Sequence, residues 1–245
     1  MPSEGASAPS PAPPRPAATL MLLRDGPAGL EVFMVVRHRQ IDFAGGAMVF
    51  PGGRVDPADA TLGDPFRIAA IREGFEESGI LLARRGGVML GAHDLPRDRP
   101  FPALLAEYGL SPATDALVHV AHWITPVDMP KRFDTHFFAA EAPVRQIARH
   151  DGGEAVAGRW LRPEEALRAA EEGRATLVFA TRLNLMKLAR HRRVADALAG
   201  AGPVVTVQPE PITGPDGTTW LRIPEEAGYG ASLWRAATRP MAPRR

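Results

Sequence analysis

The sequence predicts an α/β fold, and three observations carry that prediction. Short apolar runs bounded by turn residues read as strands, among them Ala17 to Arg24, Leu30 to Arg37 and Leu117 to Ile124. Between them lies a segment of helical period, in which Ile68, Ile71 and Phe75 make one apolar stripe and Gly79 stands where a helix would end. The composition, 45% hydrophobic and 23% charged over 245 residues, is that of an ordinary folded protein. Such a length suits one large domain, or one domain with additions.

Composition also excludes several classes. A net charge of +1 gives no electrostatic case for nucleic acid or a membrane surface as partner. Cys is absent, which rules out disulfides, thiolate metal sites and a cysteine nucleophile, and suits a cytoplasmic location. No apolar run reaches the roughly 18 residues of a membrane span. The N-terminus lacks a charged stretch followed by an apolar one, so no secretory leader is expected.

Residues 1 to 16 are rich in Pro, Ala and Ser and have no apolar face to bury, which predicts a disordered or polyproline-like arm. Ala17–Arg24 and Leu30–Arg37 form a hairpin around Asp25-Gly26-Pro27-Ala28-Gly29. A glycine pair, Gly45-Gly46, precedes a short strand over Ala47–Phe50 that delivers Pro51-Gly52-Gly53. Glycines there let backbone approach a ligand closely. Arg37, Arg39 and Arg54 flank the region and are candidates for phosphate, which guanidinium forks bind in bidentate fashion.

After a segment over Ala60–Asp64 that can loop out, a helix is expected to begin near Pro65. Within it, Glu73, Glu76 and Glu77 fall at i, i+3 and i+4 and therefore share one face. Three like charges on one turn destabilise a helix unless something neutralises them. Arg72 supplies a local counter-charge on a solvated face, or a hard cation such as Mg²⁺ or Mn²⁺ takes the carboxylate oxygens.

Residues 81 to 116 exceed the usual length of a connection and read as an insertion shaping the substrate pocket, with helix over Pro102–Tyr108. In the strand Leu117–Ile124, His119 and His122 are three apart, which places them on opposite faces and disfavours a histidine metal site. Arg132–Ala140 is a further strand, with His136 packed among apolar neighbours. Glu154 lies in a loop six residues before Trp160, and Pro163 opens a helix with Glu164 and Glu165 as caps. One long helix is expected over Thr176–Leu198. A hairpin around Gly214–Gly217 would join Val204–Val207 to Thr218–Ile223, with the last twenty or so residues loosely ordered. No internal repeat is present.

Taken together, Gly53, Arg72-Glu73, Glu76-Glu77, Gly79 and Ile80 resemble the signature of the Nudix hydrolases, G-x5-E-x7-R-E-U-x-E-E-x-G-U with U apolar. There are three departures: Asp59 stands at the first glutamate, twelve residues instead of seven separate it from Arg72, and Gly74 occupies an apolar position. The likeness covers roughly residues 17 to 175. It implies an α/β/α sandwich with a mixed sheet over residues 17 to 200, insertion included. A C-terminal helical extension completes this expectation, with residues 201 to 245 as the C-terminal extension.

It further implies Mg²⁺ or Mn²⁺ on Glu73, Glu76 and Glu77, and Glu73 or Glu154 as the base. Arg72 would orient the glutamates, while Arg37, Arg39, Gly52 and Gly53 meet the substrate. The implied reaction is hydrolysis of a diphosphate bridge in a nucleotide-type small molecule. The order Arg37-His38-Arg39, Gly46, Phe50-Pro51-Gly52-Gly53 and a long insertion is similar to the coenzyme A and acyl-coenzyme A diphosphatase branch. ADP-ribose, nucleotide sugars and dinucleotides are alternative substrates, and a nucleotide-binding module without catalysis is the alternative from another class. The oligomeric state, a homodimer included, is left open.

Overall fold

The computed structural model describes residues 12–38, 46–150 and 155–236. Strand β1 (Arg15–Gly26) turns through Pro27 and Ala28 into β2 (Gly29–Arg37), with Gly26 paired to Gly29. The predicted arm is thus two residues shorter where it meets the sheet: Arg15 already donates its N–H to the Arg132 carbonyl. Two short strands follow, β3 (Met48–Val49) beside β2 and β4 (Gly52–Arg54) beside β1. A 3-10 turn over Pro57–Thr61 leads into helix α1 (Pro65–Ser78).

The segment after α1 contains more than the one predicted helix. Its strands β5 (Ala83–Arg85) and β6 (Val88–Met89), helix α2 (Phe101–Glu107) and strand β7 (Ser111–Pro112) build a small sheet of order β6-β5-β7 capped by the helix. Strands β8 (Val118–Ile124), β9 (Phe133–Glu141) and β10 (Ala155–Leu161) return to the main sheet. Helix α3 (Pro163–Glu171) follows, opened by Pro163 with Glu165 accepting from the Arg162 N–H.

The single helix expected over 176–198 is two, α4 (Phe179–Leu188) and α5 (Val194–Ala199). The break has a local cause: the Arg192 carbonyl accepts the Leu30 N–H, and Asp25 accepts the Val194 N–H, so this backbone serves the β1–β2 turn. Beyond α5 the chain carries short strands and a 3-10 turn over Glu225–Ala227 instead of the helical extension expected. β11 (Thr206–Val207) adds to β8, and β12 (Glu210–Thr213), β13 (Thr219–Arg222) and β14 (Leu233–Arg235) form a separate sheet. The hairpin around Gly214–Gly217 is present, but its first strand is β12, because β11 is taken by the main sheet.

The main sheet runs β10-β2-β1-β9-β8-β11, with β1–β9 and β8–β11 parallel and the other pairs antiparallel. Alternation along β1 divides the core in two. Ala18, Leu20 and Leu22 join Ile68, Ile71 and Phe75 of α1 and the insertion on one face. Met21 and Leu23 join Ala166, Leu183, Leu185 and Tyr229 on the other. The result is a mixed sheet between helical layers, the α/β/α arrangement expected.

Candidate active site

Helix α1 is fixed at both ends. The Asp64 carboxylate accepts the Arg67 N–H, Pro65 occupies the first turn, and Gly79 closes the helix in the left-handed conformation at φ 73°. Its apolar stripe lies on β1 so closely that a Cβ at Gly74 would sit 2.5 Å from Leu20 Cδ2. This explains the departure at Gly74: the helix uses the missing side chain to approach the sheet. The carboxylate face consequently meets β4.

Arg72 organises that face. Its Nε and Nη2 donate to the two oxygens of Asp59 at 2.9 and 3.0 Å, Nη1 donates to Glu73 at 2.8 Å and Glu76 at 3.1 Å, and Nη2 also reaches the Arg54 carbonyl at 2.8 Å. Asp59 is only 2% exposed, and its Oδ2 also accepts the Asp56 N–H. In the sequence a twelve-residue gap separates Asp59 from Arg72. The 3-10 turn returns it to the box as the anchor of Arg72. Burial works against the Arg72 charge, yet the Asp59 and Glu73 carboxylates outweigh it and raise the arginine's pKa. Glu76 is shifted upward, by burial first, against the pull of Arg72 and with help from the charges of Glu73 and Asp59.

Glu77 points elsewhere. It is 5% exposed, accepts the Gly52 N–H at 3.1 Å, and lies 4.0 Å from the Arg37 guanidinium. Backbone packing requires glycine at Gly52, and at Gly53 the Glu73 carboxylate occupies the space a side chain would take. A Cβ on Gly52 would stand 2.5 Å from the Ala18 carbonyl, and one on Gly53 would stand 2.4 Å from a Glu73 oxygen. Arg72, Glu73, Glu76, Glu77, Arg37, Gly52 and Gly53 therefore converge where α1, β2 and β4 meet. Arg39 and Glu154 lie outside the described residues. Carboxylates on one turn offer hard oxygen donors of the kind Mg²⁺ or Mn²⁺ takes, but as they stand Glu73, Glu76 and Glu77 do not bring ligand atoms within 4.8 Å of one another.

A cleft of about 2090 Å³ opens over this junction. Gly52, Gly53, Arg72 and Glu73 line one end, Arg15, Arg37, Arg54 and Lys131 add positive charge, and Phe50, Trp123, Phe133, Phe137, Phe179 and Leu221 make an apolar wall. None of its lining residues comes from 81–116. The insertion instead packs Leu81, Leu82, Phe101, Leu104 and Leu105 into the core beneath α1, which corrects the expectation that it shapes the pocket. Most of the wall belongs to the main sheet and α4, and the C-terminal segment adds Pro209, Pro211, Leu221 and Arg235 to the lining, a contribution no motif announced.

The histidines also need correcting. β8 carries a bulge at Val120: His119 pairs with Phe138 and Ala121 with Phe137, so His122 comes level with His136. The extra residue reverses the alternation and puts His119, His122 and His136 on one face, their rings stacked.

A glutamate helix set against a Gly-Gly strand, in a mixed sheet between helices, defines the class of α/β proteins built around a Nudix box. The sequence model of the NUDT19 Nudix domain matches residues 63–180. Over 158 residues the chain is 34% identical to "Putative nudix hydrolase 7" of Caenorhabditis elegans, covering 60% of this chain and 51% of that protein. Over 213 residues it is 28% identical to acyl-coenzyme A diphosphatase NUDT19 of Gallus gallus, covering 58% and 56%. The crystal structure of a NUDIX hydrolase from Alicyclobacillus acidocaldarius matches with a TM-score of 0.69 at 28% identity, over 78% of this chain and 99% of that one. In sequence and fold the chain is similar to the Nudix hydrolases, and its matches include an acyl-coenzyme A diphosphatase. It spans about half the length of the curated relatives it matches. Among the described residues no helix is long and apolar enough to cross a membrane.

Proposed function

We propose that this chain hydrolyses the diphosphate bridge of a nucleoside diphosphate joined to a second moiety, with coenzyme A or acyl-coenzyme A as substrate. The observation that carries the reading is the cleft, which runs from the carboxylate and arginine junction to an aromatic wall. Its volume of about 2090 Å³ exceeds the roughly 300–1,000 Å³ of ordinary small-molecule sites. A substrate with a charged diphosphate at one end and a long, partly apolar arm at the other matches that polarity. The Gallus gallus relative is named an acyl-coenzyme A diphosphatase, which agrees with it.

In this reading Glu73, Glu76 and Glu77 hold the divalent ion, Mg²⁺ or Mn²⁺. Bound there, it would neutralise phosphate charge and lower the pKa of its water. Arg72, locked by Asp59, keeps Glu73 and Glu76 aimed at β4. Arg37 and Arg54 at the cleft, together with Arg39, receive phosphate oxygens. Glu73 or Glu154 positions and deprotonates the attacking water.

Hydrolysis should be followed for acetyl-coenzyme A, coenzyme A, ADP-ribose, NADH and diadenosine polyphosphates, with Mg²⁺, Mn²⁺ or chelator. Glu77→Gln should lower metal-dependent turnover at least about a hundredfold, since even the partners behind a ligand are worth about 10–100-fold. Best turnover on ADP-ribose or a dinucleotide would overturn the coenzyme A reading. Nucleotide binding without turnover anywhere would make the chain a binding module.

A further inference from the structure

β8 and β9 give Trp123, Ile124, Phe133, Thr135 and Phe137 to the cleft, while the bulge has gathered beside β11 a second set of ligand-type side chains, none of which lines it. One ligand atom from each of His122, Asp134 and His136 lies within 4.8 Å of the other two, and among the described residues no other group of three does so. The imidazole Nε2 atoms of His122 and His136 both face Asp134 Oδ1, at 2.5 and 3.9 Å. We propose that His122, Asp134 and His136 form a second cation site, separate from the glutamate box, which takes a borderline divalent ion such as Zn²⁺ or Co²⁺.

The nitrogens on the far side of the two rings are already engaged. His122 Nδ1 pairs with the Thr206 hydroxyl at 2.8 Å and His136 Nδ1 with His119 Nε2 at 3.1 Å. Outer partners of this kind fix the tautomer and direction of metal-ligating imidazoles. With Nδ1 donating in each pair, both Nε2 lone pairs turn toward Asp134. A simple histidine–aspartate hydrogen bond accounts for His122 but not for His136, whose Nε2 faces the same oxygen from beyond hydrogen-bond distance.

Distances fit as well. Ligand bonds of about 2.0–2.2 Å in a tetrahedral site place donor atoms about 3.3 Å apart. The observed separations straddle that value, so side-chain adjustments of about 1 Å suffice. The side chains are 17%, 30% and 21% exposed, partly open to solvent. Arg67, the cation that faces this cluster, is held by the Thr114 and Leu117 carbonyls and over the Phe138 ring.

Two imidazoles and one carboxylate select Zn²⁺, Co²⁺ or Ni²⁺ over Mg²⁺, which prefers oxygen alone. Selectivity therefore separates this site from the box. The His136 ring rests on Phe66 in the first turn of α1, centroids 4.1 Å apart, and Thr206 belongs to β11. An ion here would brace α1, the β8–β9 pair and the start of the C-terminal segment. The proposal does not depend on the hydrolase reading.

The test uses the full chain with the box disabled by Glu73→Gln and Glu77→Gln, titrated with Co²⁺ in excess Mg²⁺. The expected result is one bound Co²⁺ with visible d–d absorption, displaced by Zn²⁺, and a thermal midpoint raised by about 5 °C at saturation. His136→Ala and Asp134→Asn should abolish the absorption, and His119→Gln should weaken binding about tenfold. Should His136→Ala fail to melt cooperatively, Asp134→Asn, at a partly exposed position, decides. No bound Co²⁺ in the box-disabled chain, or bands undiminished in Asp134→Asn, would overturn the site.

Discussion

At the scale of single residues, Arg72 holds the box in shape before any ligand arrives. It sits among Asp59, Glu73 and Glu76, three carboxylates against one guanidinium, so the local charge stays negative and a cation is still favoured. The two-pronged contact with Asp59 is the buried part of this cluster, with side chains 12% and 2% exposed. Removing one partner of a buried pair costs about 3–5 kcal/mol when the other is left alone. Arg72 keeps Glu73, Glu76 and the Arg54 carbonyl, so Asp59→Ala should cost less, about 2 kcal/mol. Urea denaturation measures this directly. Turnover should fall with it, because an untethered Arg72 no longer fixes the direction of Glu73. Wild-type stability and turnover in Asp59→Ala would remove Asp59 from the box.

At the scale of elements, the seating of α1 on β1 sets the distance between the glutamates and the Gly52-Gly53 strand. Gly74→Ala gains about 1 kcal/mol of helix propensity but drives a methyl into Leu20, which is fully buried and has little room to move. Overpacking of this kind costs about 1–3 kcal/mol, so a net loss of about 1 kcal/mol is expected. The clash disappears when Leu20 is shortened. The Gly74→Ala and Leu20→Ala cycle should therefore show a favourable coupling of about 1 kcal/mol.

The helix was legible in the sequence because its signal is contiguous: stripe, carboxylates and terminal glycine occupy one run from Ile68 to Gly79. What escaped depended on geometry between elements. Asp59 needed a 3-10 turn to span its twelve-residue gap, the histidines needed one bulge residue, and the helix break after Leu188 needed the β1–β2 turn beside it.

At the scale of the whole molecule, the cleft exists because the C-terminal segment folds back over the sheet. Pro209, Pro211, Leu221 and Arg235 line it opposite β1 and β9, and Tyr229 fastens the segment. The Tyr229 hydroxyl accepts from Trp123 Nε1 and donates to Asn184 Oδ1, both at 3.0 Å, in a site where burial raises its pKa to about 12. Tyr229→Phe leaves the Trp123 N–H and the Asn184 carbonyl buried without that partner, a cost of about 1–3 kcal/mol. The tie packs in the core on the other face of the sheet from α1, which carries the glutamates. If the proposed coenzyme A reading holds, loosening the tie should raise KM for an acyl-coenzyme A several-fold while kcat changes little, since the segment would meet the arm of the substrate and not its diphosphate. Limited proteolysis should cut Tyr229→Phe faster between residues 203 and 236, and a saturating substrate analogue should restore protection. An equal fall in kcat and kcat/KM would instead place the segment in the transition-state machinery and move the reacting diphosphate toward β13.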